Sequence, residues 1–391
     1  MTKRRRLYLG LLSMSHGLNH VYQLLTPVII PKITEEYGLS NLMAGLLLAS
    51  FSLSYSLLQL PVGYLSRRLG RKNLLILGFV ITSFSFMSIA FADNITALAL
   101  VLFLAGAGGS TYHPNGMPLL SEYYEENRGQ ASGFHQTGGA LGSFIAPLLI
   151  GVLMLNLSWR LATTTLSVLG IVLSVILYLL LTEPRQKVEE DHKSLPKKSK
   201  LSMRLYGPAL VFILTAMIYV TGLRGIDAFA NQYFTYGRGI QNIAEASFLF
   251  SMLKVAGLFS GPISGKLSDI FGRKKLIIIL ILIESASLYI LTVTPVAILM
   301  IPCIVFGFSS FGLLAITDAF LADLVPHEHR GTIFGLNFTL SFVTSAIIPP
   351  ILGGIIDLQG FSTGFTALSI TVLFSIPILT QIRPRNNKTE R

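Results

Sequence analysis

Polar side chains interrupt the first apolar segment of the chain at a spacing that would form a binding face. In the run HGLNHVYQ, His16, Asn19, His20 and Gln23 stand at positions i, i+3, i+4 and i+7, so a helix places all four on one side. Imidazoles exchange protons near neutral pH, and amides both donate and accept hydrogen bonds. We therefore expect a substrate-binding face here, with hydrogen bonds to neighbouring helices as the structural alternative.

The second half of the chain carries a matching set. Arg224, Asp227 and Asn231 repeat the i, i+3, i+7 spacing within another apolar run. A guanidinium binds oxyanions through two parallel hydrogen bonds, so an anionic substrate, including a phosphonate-like one, would suit Arg224. Because an isolated arginine among apolar residues is costly, we expect Arg224 and Asp227 to pair with each other or with the substrate. The alternative is a purely structural ion pair.

A third candidate set lies in the run STYHPN. Tyr112 and His113 precede Pro114, which removes a backbone donor, and nearby glycines permit a bend. A broken helix is a recurrent binding device in carriers, and a structural kink is the alternative. His135 and Gln136 follow as weaker candidates.

Proton transfer needs a titratable group among the apolar runs. We expect four candidates for proton coupling: His20, His113, Asp227 and Asp318. Asp318 is predicted to be the deepest lone carboxylate, whereas Asp323 is assigned to a loop. Lys254 and Glu284 are expected either to pair with each other or to face the lipid interface.

The composition indicates a protein whose solvent is a bilayer. Of the 391 residues, 52% are hydrophobic and 13% are charged, and the mean hydropathy is +0.64. Apolar runs of roughly twenty residues, enough to cross about 30 Å of hydrocarbon, recur along the chain and predict twelve membrane-spanning helices. Their expected bounds are 7–31, 42–65, 73–92, 95–121, 130–156, 160–182, 205–234, 243–265, 276–294, 296–323, 331–357 and 363–382.

The basic residues orient these spans. Most of the 30 Lys and Arg residues fall at the termini and in alternate loops, and only Lys32, Arg160 and Arg238 fall in loops on the other side. This positive-inside pattern predicts a multi-pass protein of the plasma (inner) membrane with both termini in the cytoplasm. The net charge of +11 is therefore a topology signal and does not indicate nucleic-acid binding. The single cysteine, Cys303, excludes an internal disulfide bond.

The chain also repeats itself. The sequence GYLSRRLGRK at 63–72 returns as GKLSDIFGRK at 265–274, and the same shift of 202 residues lays Arg128 on Arg330. A constant offset predicts two pseudo-symmetric six-helix halves, 1–184 and 205–391, joined by a cytoplasmic linker at 185–204. Carriers built from such repeats bind substrate near the midplane and rock one half against the other.

These loops resemble the GxLaDRxGRK motif of the major facilitator superfamily, in which it follows the second and eighth spans. The resemblance implies a twelve-helix alternating-access carrier whose loop charges stabilise one closed state. The residues that it assigns to this conformational latch are Gly63, Arg67, Arg68, Gly70, Arg71, Arg128, Gly265, Asp269, Gly272 and Arg273. Arg67 replaces the usual Asp of the first copy, so we expect Arg128 with Glu125 or Glu126 to supply charge pairing there.

The first half resembles fosmidomycin-resistance-type transporters more closely. The matching stretches are SHGLNHVYQLLTPVIIP, GGSTYHPNG and GQASGFHQTGGALGSFIAPLL. His16 and Asn19 match the first-span motif, but His20 stands where those transporters carry Asp, which weakens the inherited expectation of proton-driven efflux. The run GSFIAPLLIG is loosely similar to the bend of antiporters, whereas the fourth-span arginine of many antiporters is absent.

The function expected from the sequence is secondary transport of a small molecule, without ATP, cofactor or metal. Proton-coupled efflux of a drug-like or anionic compound is the first expectation, and proton-coupled uptake of an organic anion or sugar is the alternative. A membrane-embedded metalloenzyme using the His16 and His20 pair, or a non-transporting sensor, is a remote alternative. The expected partners are the substrate, protons and the bilayer, and we expect a monomer.

Overall fold

The computed structural model describes residues 3–183, 203–326 and 329–382, and within these ranges the regular structure is helical. The helices are α1 (Lys3–Tyr37), α2 (Asn41–Leu69), α3 (Arg71–Ser88), α4 (Ile95–Gly109), α5 (Tyr112–Tyr123), α6 (Arg128–Leu153), α7 (Trp159–Leu180), α8 (Met203–Gln232), α9 (Ile243–Val255), α10 (Gly257–Phe271), α11 (Arg273–Val293), α12 (Met300–Leu324), α13 (Arg330–Leu373) and α14 (Ser375–Gln381). The predicted linker lies outside the described residues except for its last two positions, which begin α8.

Ten helical segments of the described chain are long and apolar enough to cross a membrane. The last of them joins α13 and α14 over 49 residues, about twice what a bilayer needs, and it turns at Gly360, where φ is 83°. The helix α1 is not one of the ten, because its polar face lowers its hydropathy, although its 35 residues reach about 50 Å. The all-helical membrane fold is confirmed, and the count of twelve spans stays a prediction that these helices accommodate.

The predicted break in the fourth span is present. The helix α4 ends at Gly109 and α5 begins at Tyr112, so Pro114 falls in the first turn of α5, where its missing N–H costs no helical hydrogen bond. The glycines here serve close packing: a Cβ added at Gly108 would lie 2.6 Å from the Thr82 nitrogen on α3. A second break, between Val255 and Gly257, separates α9 from α10 and was not predicted.

The first half of the chain (α1 to α7) and the second half (α8 to α14) are in contact at the end of the bundle where α2 begins, and we call this the closed end. Asp357 on α13 accepts hydrogen bonds at 2.8 Å from the backbone N–H of Asn41, from the Asn41 side-chain amide and from the backbone N–H of Leu42. Asp357 therefore caps the N-terminus of a helix in the other half of the chain. Gly45 and Gly353 allow this approach, because a Cβ at either would lie about 2.6 Å from a backbone carbonyl carbon of the facing helix.

The two loops of the internal repeat, at 63–72 and 265–274, lie at the opposite end of the bundle. Gly70 and Gly272 adopt φ of 86° and 89° at the two tight turns. Arg71 forms an ion pair with Glu122, and Arg273 forms one with Asp323, so each repeat pairs its own loop arginine with a carboxylate near the end of its fourth span. The expected pairing through Arg128 is wrong, and Asp323 is part of α12.

The remaining predicted latch residues make weaker contacts. Asp269 lies 3.7 Å from Arg273 but is largely exposed. Arg67 and Arg68 are exposed, and the Arg68 guanidinium lies over the Tyr64 ring at 5.7 Å. Glu183 instead accepts hydrogen bonds at 2.9 Å from the backbone N–H groups of Arg71 and Lys72. The carboxylate missing at position 67 is thus compensated by Glu122 and Glu183.

Replacement of Asp357 by Ala is expected to loosen the closed end. Loss of a helix cap costs about 1 kcal/mol, which shifts the ratio of closed to open carriers about fivefold. Spin labels at Glu35→Cys and Gln359→Cys, read by pulsed electron resonance, should show a larger population at long distance. Asp93→Ala, at the same end but within one half, is the matched control. Unchanged distances in Asp357→Ala would show that its cap does not hold the halves together.

Candidate functional site

A cavity opens between the two halves, and its walls are α1, α2, α8 and α13. It encloses about 630 Å³, including the part continuous with solvent. The residues that carry its chemistry are Gln23, Phe51, Tyr55, Arg224, Asp227 and Phe342. Three of the predicted substrate residues, Gln23, Arg224 and Asp227, are therefore brought together here. The other predicted substrate residues do not line this cavity, and their positions are described below: His16, Asn19, His20, Tyr112, His113 and Asn231.

Arg224 is an unneutralised cation in this cavity. Among the described residues no carboxylate lies within ion-pair distance of its guanidinium, and its buried Nε has no hydrogen-bond partner. The guanidinium rests over the Phe342 ring, 5.5 Å from the centroid. Of the two expected partners of Arg224, Asp227 forms no ion pair with it, so the guanidinium has no ion-pair partner among the described residues, and pairing with the substrate stays a prediction.

Asp227 is instead held by Lys254 on α9. The two side chains form an ion pair, and Lys254 is only 3% exposed, with its ammonium 5.5 Å from the centroids of the Phe250 and Phe311 rings. The expectation that Lys254 pairs with Glu284 or faces lipid is wrong. Glu284 is buried in another place, where Ser310 donates to it at 2.9 Å. The pair neutralises both of its members, so the cavity keeps one net positive charge, on Arg224.

Tyr55 is a cavity residue that sequence reasoning missed. The side-chain amides of Asn19 and Gln23 donate to its hydroxyl oxygen at 3.2 and 3.0 Å. Both lone-pair positions are thereby used, and the hydroxyl hydrogen has no acceptor among the described residues. The ring stacks on Phe342 at 5.2 Å. Ser52, Tyr55 and Gln59 follow the same i, i+3, i+7 spacing as the other sets, and this was the available signal.

The histidines form a stacked cluster beside the cavity. The His16, His135 and Tyr112 rings are nearly parallel and lie close together, with centroids 4.4 Å apart for His16 and His135, 5.3 Å for His16 and Tyr112, and 6.0 Å for His135 and Tyr112. His16 Nδ1 contacts the His135 carbonyl oxygen at 3.0 Å, and its Nε2 contacts His20 Nε2 at 3.2 Å. Gly139 makes room for the ring, since a Cβ there would lie 2.6 Å from it. His16 is buried, whereas His20 retains some exposure.

His113 and Tyr112 sit around this cluster in different roles. The His113 ring packs edge-on against His16 at 5.6 Å and against Phe338 of the second half at 5.2 Å. Tyr112 is buried, and its hydroxyl donates to the Leu12 carbonyl at 2.9 Å. Tyr112 therefore supports the cluster and does not line the main cavity. In the described chain no group of three His, Cys, Asp or Glu residues has a metal-binding arrangement.

Three further predicted residues lie away from the cavity. Asn231 is fully buried at the closed end, where its amide donates to the Val28 carbonyl at 2.6 Å, so it joins the two halves. Asp318 is exposed and accepts from Asn337 at 3.4 Å, and the deeper carboxylate is Glu284 at 1% exposure, contrary to expectation. Gln136 is exposed.

Known proteins resemble this chain over most of its length. It is 26% identical over 360 residues to the fosmidomycin resistance protein of Escherichia coli (strain K12), covering 89% of this chain and 86% of the relative. It is 27% identical over 370 residues to the probable galactarate/D-glucarate transporter GudP of Bacillus subtilis (strain 168), covering 85% and 81%.

A solved structure shares the fold. The crystal structure of a bacterial homologue of the human lysosomal transporter Spinster, in an inward-facing and occupied conformation, gives a TM-score of 0.83 at 17% identity, covering 98% of this chain and 97% of that chain. The family model described as Major Facilitator Superfamily matches residues 12–269 and 235–391. These overlapping matches reach from the first span to the last residue, and the chain therefore belongs to the major facilitator superfamily of membrane transporters.

Proposed function

We propose that the protein is a secondary transporter of small organic anions, driven by the proton gradient. The observation that carries this proposal is the Arg224 guanidinium, which lines the cavity and has no ion-pair partner among the residues that the structure describes. Leaving a cation in a poorly hydrated site costs free energy that a bound anion would recover. The substrate thus supplies the missing partner of Arg224.

The groups around Arg224 suit a carboxylate or a similar oxyanion on a short carbon skeleton. The guanidinium fork would bind two oxygens, and the Tyr55 hydroxyl, whose oxygen is already occupied by two amide donors, would donate to the anion. Phe51 and Phe342 provide apolar walls for the rest of the molecule. GudP, by its name a probable transporter of two sugar acids, supports a substrate of this class.

The position of the cavity supports alternating access. The halves are in contact at the closed end, where Asp357 caps α2. The positive-inside distribution of Lys and Arg predicts that this end faces the outside. The conformation described is then one that faces the cytoplasm, with both termini inside and the chain in the plasma (inner) membrane. Rocking of 1–184 against 205–391 would expose the same cavity to the other side.

Efflux is a second candidate. The sequence favours it, and a relative is named for fosmidomycin resistance. In symport the proton and the anion occupy the carrier together, whereas in antiport they occupy it in turn. An anion beside the histidine cluster attracts a proton, which favours occupation together and transport in the same direction.

Binding to purified protein tests the substrate class. D-gluconate and D-glucose form a matched ligand pair, since they share a carbon skeleton and differ in charge. Gluconate is expected to raise the Tm, and glucose is not. Arg224→Gln should weaken gluconate binding by at least about tenfold, because charge-assisted hydrogen bonds contribute about 1.5–3 kcal/mol. Stabilisation by glucose and by no member of a panel of carboxylates and phosphonates would refute the anion proposal.

Tyr55→Phe removes the proposed hydroxyl donor and keeps the ring. We expect about a tenfold increase in the Kd for gluconate, together with a lower Tm without ligand because the amides of Asn19 and Gln23 lose their acceptor, while the ring stack on Phe342 is retained. Tyr37→Phe, at the rim of the closed end, is the control. Equal affinity in Tyr55→Phe and wild type would remove Tyr55 from the anion site.

Flux into proteoliposomes tests the direction. With an imposed proton gradient, labelled gluconate should accumulate in the compartment toward which protons flow, whichever way the carrier is oriented. Reversing the gradient should reverse the accumulation. Movement of the anion against the proton flow would instead establish exchange, as efflux by antiport requires.

A further inference from the structure

The hydrogen bonds of the His16 and His20 pair fix which ring nitrogens carry hydrogen. A carbonyl oxygen only accepts, so the 3.0 Å contact with the His135 carbonyl requires a hydrogen on His16 Nδ1. A neutral His16 then has its lone pair on Nε2, and this nitrogen faces His20 Nε2 at 3.2 Å. His20 must therefore donate from Nε2, which leaves its Nδ1 as an unprotonated acceptor.

The two imidazoles consequently differ in their capacity for a second proton. A second proton on His16 would go to Nε2 and set two N–H groups against each other. A second proton on His20 goes to Nδ1 and leaves the hydrogen bond between the rings intact. His16 is also only 4% exposed and contacts the rings of His135 and Tyr112, whereas His20 retains exposure and lies one helical turn before Gln23 in the cavity wall.

From this geometry we infer that His20 Nδ1 is the site that binds the coupling proton, and that it fills together with the anion at Arg224. The inference rests on the proposed anion site and adds where the proton binds and that its binding is coupled to that of the anion. His20 thus takes the place of the acid that the resembling transporters carry at this position.

The charges around His20 explain why proton and anion fill the site together. The histidine cluster that contains His20 and the adjoining cavity bring together titratable and charged groups from five packed helices as well as from α1 itself: His16, Tyr55, Tyr112, His113, His135, Arg224, Asp227 and Lys254. Lys254 forms an ion pair with Asp227, and Arg224 forms no ion pair with any described residue. In the empty cavity a cationic His20 would face Arg224 without compensation. An anion between them removes this repulsion, so each ligand raises the affinity for the other by the same factor.

The other histidines of the cluster are poorer proton sites. His135 is fully buried, with Nε2 3.3 Å from the Tyr112 hydroxyl and a buried Nδ1 that has no partner among the described residues. The His113 ring packs edge-on against His16 and Phe338 and lies tilted against Phe342. A proton on His113 would have to be accommodated among these rings, and a proton on His135 in a fully buried site, whereas His20 Nδ1 belongs to a partly exposed side chain.

Calorimetry with gluconate tests the linkage. Titrations of the full chain in buffers of different ionisation enthalpy give the number of protons taken up on binding. We expect uptake approaching one proton over a range of pH, with affinity falling about tenfold per pH unit on its alkaline side. His20→Gln should bind gluconate with no proton uptake, and His329→Gln, distant from the cavity, is the control that should retain it. Loss of uptake in His113→Gln with retention in His20→Gln would overturn the assignment.

A second readout does not depend on transport or binding. Nitrogen-15 spectra of histidine-labelled protein without ligand should show hydrogen on Nδ1 of His16 and on Nε2 of His20, assigned by single His→Gln variants. The reverse tautomers would contradict the inference even if gluconate binds. Correct tautomers without any gluconate heat would leave the proton site standing and would refute the proposed substrate class.

Discussion

The central physical constraint in this structure is the free-energy cost of placing a cation among apolar side chains. Two positive charges, Arg224 and Lys254, approach the central cavity from the second half, but Asp227 pairs with only one of them. Lys254 is sealed between two aromatic rings and its carboxylate partner, so it is electrostatically satisfied. Arg224 has only the face of Phe342 and the open cavity. This asymmetry is the basis of our proposal that the cavity binds an anion.

The helices around the cavity keep this arrangement while leaving the two halves able to move. Polar contacts between halves gather at one end, where Asp357 caps α2 and Asn231 reaches Val28. The loop arginines at the other end pair within their own repeat. The site residues lie between these ends, on helices of both halves. Contacts between the halves at one end, and ion pairs confined to each half at the other end, would allow the halves to rock against each other.

Much of the fold could be predicted because the bilayer imposes simple rules. Long apolar runs must be helical, polar side chains among them must face protein or water, and a repeated loop implies a repeated unit. The stripe of His16, Asn19, His20 and Gln23 indeed faces inward, and the break before Pro114 falls where proline and glycine favour it.

What sequence spacing could not provide is the choice of neighbour on another helix. Asp227 lies one turn from Arg224 on α8, yet it pairs with Lys254 on α9. Asn231, on the same face of α8, donates to the Val28 carbonyl in the first half of the chain. Tyr55 was overlooked because one tyrosine in an apolar run resembles a packing residue until Asn19 and Gln23 are seen to donate to it. Partner selection depends on helix rotation and crossing, which periodicity along one chain does not encode.

The most direct test of the central claim is an experimental structure of the carrier with gluconate bound. We expect the carboxylate to contact the Arg224 guanidinium and to lie within hydrogen-bond distance of the Tyr55 hydroxyl, with the Asp227 and Lys254 pair intact. A carboxylate bound to Lys254 with Asp227 displaced, or a ligand that leaves Arg224 without contact, would contradict it.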